Sequence, residues 1–168
     1  GGTVDGCFEF CESLMELRDR KPIVCFVNGQ GTSAAQAIAA SCSASYAFRT
    51  ATVGSIAICM ILATYRAPDD VAGFTVIQTG EDKGPCSEYI APTEGQLEAM
   101  RDLARSSHKA FVECVLAGRS MRVSRRNIEA LKGRAIQADL AVALGLFDGL
   151  ARYDEVLNSA SATRVAVA

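Results

Sequence analysis

Histidine is almost absent from this chain. His108 is the only one in 168 residues, and it falls inside the pattern of a long helix. A Ser-His-Asp triad is open only if that helix folds back onto a nucleophile. Paired metal-ligand spacing is absent too. The seven cysteines are Cys7, Cys11, Cys25, Cys42, Cys59, Cys86 and Cys114, and no two form a C-x-x-C pair. A structural zinc site is therefore not expected, and neither a metal nor a cofactor is called for. Cys7 and Cys11 lie four apart on one helix, where two thiols could meet. The plainer reading makes the cysteines small buried hydrophobes in a reducing compartment. No apolar stretch approaches the roughly 18–20 residues that span a bilayer; the longest covers residues 56–64. Nothing reads as a signal peptide, so a membrane association is not evident. Neither sign of charge dominates, with 17 Lys and Arg against 19 Asp and Glu. A net charge of −2 carries no nucleic-acid signature. The basic run at Arg119, Arg122, Arg125 and Arg126 reads as a solvated helix-end loop, with a phosphate or partner contact as the alternative. There is no internal repeat and no low-complexity linker.

What remains is a globular balance: 49% hydrophobic and 21% charged residues. A chain this long buries about two-thirds of its unfolded surface. Residues 1–168 are expected to form a single domain. The chain starts at Gly1, in a turn motif and without methionine. It reads as a fragment lacking an upstream segment, in which a membrane anchor could lie.

Periodicity places the elements. Residues 4–18 form an amphipathic helix with Cys7, Phe8, Cys11, Leu14 and Leu17 on one face. Residues 23–27 are apolar throughout, as parallel strands tend to be. Residues 28–32 read as a glycine-punctuated turn and 33–41 as a small-residue helix. Residues 45–48, 57–62 and 74–77 look like further strands, and residues 53–56 like a second turn. Residues 94–117 form a long helix. Thr93 and Gln96 make a capping box at its start, and Leu97, Met100, Ala104, Phe111 and Cys114 form its inner stripe. Short helices follow at 125–131 and 137–144, the second stopped by Gly145. The small residues of 159–168 favour fraying. Strands alternating with helices give an α/β domain.

The informative stretch runs from Lys21 to Ala57. A buried strand enters a glycine turn, and Ser33 then opens a helix. A serine at such a turn offers a hydroxyl and a backbone N–H just after it. These are the nucleophile and oxyanion donor that acyl transfer needs. An ordinary helix cap uses serine in the same place, so both readings stand here. A nucleophile needs a base. With histidine so scarce, the other solution is lysine. Lys83 follows the strand-like run at 74–77, in the loop Gly80-Glu81-Asp82-Lys83-Gly84. The alternative is an ordinary loop lysine.

Six motifs then occur in order: Gly1-Gly2-Thr3-Val4, Lys21-Pro22, Ser33-Ala34-Ala35, Gly54-Ser55-Ile56, Gly80-x-x-Lys83 and Gly145-Leu146-x-Asp148-Gly149. The sequence resembles the signal peptide peptidase family of Ser-Lys proteases, which includes phage capsid-maturation proteases. The resemblance runs from Gly1 to about Val156. It implies the Clp-protease/crotonase fold, built of repeated β-β-α units. It implies Ser33 as nucleophile, Lys83 as general base and Ser55 as the serine that orients the lysine. Gly1 and Gly2 match the end of a turn whose N–H helps form the oxyanion hole, and the Ala34 N–H would be the second donor. Fixed backbone donors cost little reorganisation as charge develops.

Some positions depart from the family pattern. Ala34 and Ala35 stand where relatives often have glycine, and Ala57 ends the second turn. Glu81 and Asp82 flank Lys83. If they face it, they raise its pKa and oppose its use as a base; if they face solvent, they do not.

The reading favoured is a serine endopeptidase acting on a protein or peptide. It leans to phage capsid or scaffold maturation, with a cytoplasmic or capsid-associated location. Small residues at Ala34, Ala35 and Ala57 suggest room for small or apolar substrate side chains. The alternatives are a membrane-associated signal peptide peptidase, a non-proteolytic crotonase-like acyl-CoA enzyme, or an inactive scaffold. The resemblance also implies a homo-oligomer in which neighbouring subunits can share the dyad.

Overall fold

The computed structural model describes residues 1–61, 79 and 91–165. The chain divides into two compact units. The first holds Gly1–Ala57 and Lys109–Ala168, and the second holds Ile58–His108.

In the first unit the strands are β1 (Val24–Val27), β2 (Gln30–Thr32), β3 (Ala44–Ala47), β4 (Thr52–Gly54), β5 (Ala135–Gln137) and β6 (Gly149–Leu150). Its helices are α1 (Cys7–Arg18), α2 (Ala34–Ser41), the second half of α3 (Glu94–Arg119), α4 (Arg125–Ala130), α5 (Ala138–Ala143) and α6 (Tyr153–Val165). The strands come in consecutive pairs that split between two sheets. β1 and β3 run parallel in one sheet, with Val24 opposite Ala44 and Val27 opposite Ala47. β2 and β4 run parallel in the other, with Gln30 opposite Thr52 and Thr32 opposite Gly54. Helix α2 follows the β1-β2 pair, which makes one β-β-α unit. β6 extends the first sheet beside β3 in parallel. β5 closes onto β4 antiparallel in the second.

Helix α2 is short and made almost wholly of small residues, so neighbours approach its backbone closely. Ala37 and Ala40 are fully buried. Gly118 of α3 passes so near that a Cβ there would lie 2.5 Å from the Ala40 carbonyl oxygen. At the C-terminal end of α2, Arg18 of α1 donates to the carbonyls of Ser41, Cys42 and Gly118 at 3.3, 3.2 and 2.9 Å. The last carbonyls of a helix lack partners within it, and Arg18 serves those at the ends of both α2 and α3.

A second polar knot ties α3 to β6. Arg119 is 2% exposed. Its guanidinium donates to both Asp148 carboxylate oxygens, at 2.8 and 3.1 Å, and its Nε donates to the Gly145 carbonyl. The Ser45 N–H and Arg122 also donate to Asp148, each at 2.7 Å. Burial works to raise the Asp148 carboxyl. The hydrogen bonds from Arg119 and Ser45 and the two arginine charges outweigh it and hold the group below its ordinary value. Arg119 is thus not part of a solvated loop, contrary to the composition of the basic run. The motif Gly145-Leu146-x-Asp148-Gly149 supplies its counter-charge.

In the second unit α3 begins with the expected capping box. The Thr93 N–H donates to Gln96 Oε1, and the Gln96 N–H donates to Thr93 Oγ1. Exposed pairs join Arg101 to Glu94 and Glu98, and Arg105 to Glu98 and Asp102. Such pairs add little stability each.

The structure departs from the sequence reading at several elements: residues 52–54, overlapping what reads as a turn at 53–56, form β4, and β5 and β6 match no expected strand. Residues 30–32 form β2 rather than turn, because the glycine turn is only Asn28 and Gly29 and the chain extends at once beside β4. Residues 57–61 are not strand. Ser55, at φ +53°, bends the chain out of β4, and Ile61 is 89% exposed. Leu17 of α1 is also exposed rather than inward. Finally, residues 153–165 form α6, a helix with no counterpart in the sequence reading. The expected strand at 74–77 lies outside the described residues.

Candidate active site

The Ser33 turn arises where β2 hands over to α2. Thr32 is paired with Gly54, and the Ser33 N–H donates to the Gly54 carbonyl at 2.8 Å. Ser33 and Ser55 are therefore the next residues along two paired parallel strands. Both leave their strands with left-handed backbone, φ +58° and +53°. Non-glycine residues rarely adopt that conformation, and such strain concentrates at functional sites. Ser33 is half-buried and stands at the N-cap position of α2, yet its side chain makes no capping hydrogen bond. A capping serine has extended backbone and spends its oxygen on the helix. Here neither holds.

The partners named from sequence fall as follows. Gly1 lies against Ser33: a Cβ on Gly1 would stand 3.0 Å from Ser33 Cβ, 3.1 Å from the Thr32 carbonyl oxygen and 3.6 Å from Ser33 Oγ. Only glycine allows this approach without displacement. Gly2 has open space around it. Ala34 is buried as the first residue of α2. The N–H that opens a helix has no partner within it and can serve an anion, and that of Ala34 stands at this position. Ser55 is half-buried, and its N–H donates to the Arg134 carbonyl at 3.0 Å. Lys83 lies outside the described residues, as do Glu81 and Asp82.

Sequence reasoning passed over Gln36. It is fully buried on α2, and its Oε1 accepts from the Gly54 N–H at 3.0 Å. The signal available was one long polar side chain within Ala34-Ala35-Gln36-Ala37-Ile38-Ala39-Ala40.

One thiol, that of Cys7, lies against this region. Cys7 donates to the Ala34 carbonyl across 3.8 Å. Burial, then the neighbouring Cys11, pushes the Cys7 thiol up to about 11. Cys11 is raised by its hydrogen bond with Cys114 and by burial. Such thiols stay protonated and are poor nucleophiles. Cys11, Cys42 and Cys114 are buried, Cys7 and Cys25 half-buried and Cys59 exposed; Cys86 lies outside the described residues. Among the described residues no cluster of three or more His, Cys, Asp or Glu could hold a metal ion. None of the described helices is long and apolar enough to cross a membrane.

Residues 15–167 match peptidase family S49. The chain belongs to that family. It is 24% identical over 98% of its length to the capsid assembly protease C of Escherichia phage lambda, covering 36% of that protein. It is 26% identical, also over 98% of its length, to the head-tail preconnector protein GP5 of Enterobacteria phage P21, covering 32% of it. A putative protease of Methanocaldococcus jannaschii is 24% identical over 94% of this chain and 51% of its own length. The chain thus spans about a third of the two phage proteins and half of the archaeal one. Among solved structures, an enoyl-CoA hydratase/isomerase family protein from Silicibacter pomeroyi superposes with a TM-score of 0.54 at 17% identity. The match covers 94% of this chain and 49% of that one. It establishes the crotonase-like α/β fold that the ordered motifs implied.

Proposed function

We propose that this S49 chain is the catalytic part of a serine endopeptidase that processes capsid or scaffold protein during phage assembly. Ser33 Oγ attacks the peptide carbonyl, and Lys83 takes its proton. The carbonyl oxygen becomes an oxyanion held by backbone N–H groups at Ala34 and in the Gly1-Gly2 turn. Lys83 then gives the proton to the leaving amine, which departs as the C–N bond breaks. Water, activated by the same lysine, hydrolyses the acyl-enzyme. Ser55 orients the lysine. The substrate class follows from the phage relatives, whose names describe a capsid assembly protease and a head-tail preconnector.

The observation that carries this reading is Ser33 itself: a left-handed residue at a strand-to-helix turn, its hydroxyl not committed to capping the helix. The close approach of Gly1 adds a second support. Met60 and Ile61, 41% and 89% exposed, suit cover by another copy of the chain, so the working enzyme is taken as a homo-oligomer. The test is co-expression of the full-length protein with its neighbouring phage capsid and scaffold proteins. Cleavage is expected with wild type and absent with Ser33→Ala. Undiminished cleavage by Ser33→Ala would overturn the assignment.

A further inference from the structure

Gln36 is fully buried, and its side-chain nitrogen Nε2 has no hydrogen-bond partner. A buried unpaired amide is destabilising, and an apolar side chain of the same length would avoid that cost. The helix around it is otherwise built of alanine, isoleucine and serine. What the glutamine provides is its other end. Gly54 sits at φ +85°, and its backbone is held on both sides. Its carbonyl accepts from the Ser33 N–H, and its N–H donates to Gln36 Oε1. The Gln36 N–H in turn donates to the Ser33 carbonyl at 2.8 Å. Ser33, Gln36 and Gly54 thus close a ring of three hydrogen bonds. The ring spans the first turn of α2 and the end of β4, one residue before Ser55.

We infer that Gln36 is a positioning residue: it fixes the Ser33 turn against the Gly54-Ser55 turn and so sets the orientation of the nucleophile. The inference rests on Ser33 being the nucleophile. Replacing Gln36 with methionine keeps length and burial. It removes one unpaired group, Nε2, and creates another, the Gly54 N–H. Stability should therefore change little while the turn loosens.

The experiment follows inactivation of the full-length protein by a fluorophosphonate. Ser33 adduct is measured by mass spectrometry, and the kinetics are separated into the inhibitor's binding constant and the maximal rate of inactivation. For Gln36→Met the maximal rate should fall about tenfold or more, as small misplacements of reacting groups do, with binding unchanged. Gln36→Glu keeps an oxygen for the Gly54 N–H and should recover most of the rate. Amide exchange at Gly54 should quicken in the methionine variant and not in the glutamate one. Should Gln36→Met fail to fold, Gln36→Asn, too short to reach Gly54, carries the same expectation. A folded Met or Asn variant that labels at the wild-type rate overturns the inference, as does a Glu variant as slow as Met. Absence of label on wild-type Ser33 would instead overturn the nucleophile assignment, and this inference with it.

Discussion

The backbone N–H of Ser33 donates to the carbonyl of Gly54 over 2.8 Å. That bond continues the β2-β4 ladder by one step past Thr32 and Gly54. It places two left-handed serines, Ser33 and Ser55, at the same level of two parallel strands. The proposed nucleophile and the serine proposed to orient its base need this kind of adjacency, and the backbone alone provides it.

Gly1 is expected to be sensitive to a single methyl. In Gly1→Ala the new Cβ would stand 3.0 Å from Ser33 Cβ and 3.1 Å from the Thr32 carbonyl oxygen, so Ser33 or the Gly1 turn must shift. Acylation of Ser33 should slow about tenfold or more, with the thermal midpoint nearly unchanged. Equal acylation rates in the two proteins would show that Gly1 does not shape the site.

The lysine assignment predicts a pattern across variants and pH. Lys83→Arg should be inactive, because a guanidinium stays protonated. Ser55→Ala should be impaired without being dead. In the wild type the rate should rise with pH as the lysine loses its proton, reaching a plateau on the alkaline side. An active Lys83→Arg enzyme would rule out the dyad. If subunits share it, mixing Ser33→Ala with Lys83→Ala protein should restore some cleavage, and its absence in a proven mixed oligomer would place both residues in one chain.

Much of this was legible in the sequence, and the reasons differ by element. β1 is marked by a compact apolar run. The start of α3 is marked by its capping box, which the structure shows in both halves. β2 and β4 are only three residues each. Gly31 and Gly54 make them look like turns, and only pairing with one another makes them strands. β6, two residues long, exists because β3 offers it an edge. The turn at Ser33 was legible by its place after a strand and glycines, whereas the positive φ of Ser33 was not. Arg119 was misread because charge runs are usually solvated, and its partner lies 29 residues further along the chain. Gln36 had no periodic signal, since one polar residue in a short alanine helix fits an exposed face equally well.

Helix crossing at Gly118 gives a stability prediction. Gly118→Ala would put a Cβ 2.5 Å from the Ala40 carbonyl oxygen, a backbone atom that cannot swing away. Despite the better helix propensity of alanine, the variant should be destabilised by about 1–3 kcal/mol. Urea unfolding checks this, and an unchanged midpoint would mean that α2 and α3 do not pack as described.

Asp148 sets part of the acid limit of stability. Its folded carboxyl is held below the ordinary value. Its contribution is therefore fully present above the unfolded value of about 3.9. It is lost as pH falls through the lower folded value. Asp148→Asn should flatten that acid dependence. At neutral pH it should cost about 3 kcal/mol, because Arg119 is left buried without a counter-charge. Urea midpoints at several pH values read both effects. Parallel pH curves for the two proteins would contradict the account.

The most direct test is to treat the full-length protein with a fluorophosphonate probe and map the adduct by mass spectrometry. The account predicts a single modified residue, Ser33, with no label in Ser33→Ala and loss of peptide cleavage in proportion to labelling. Label on another residue, or cleavage that persists once Ser33 is fully modified, would contradict it.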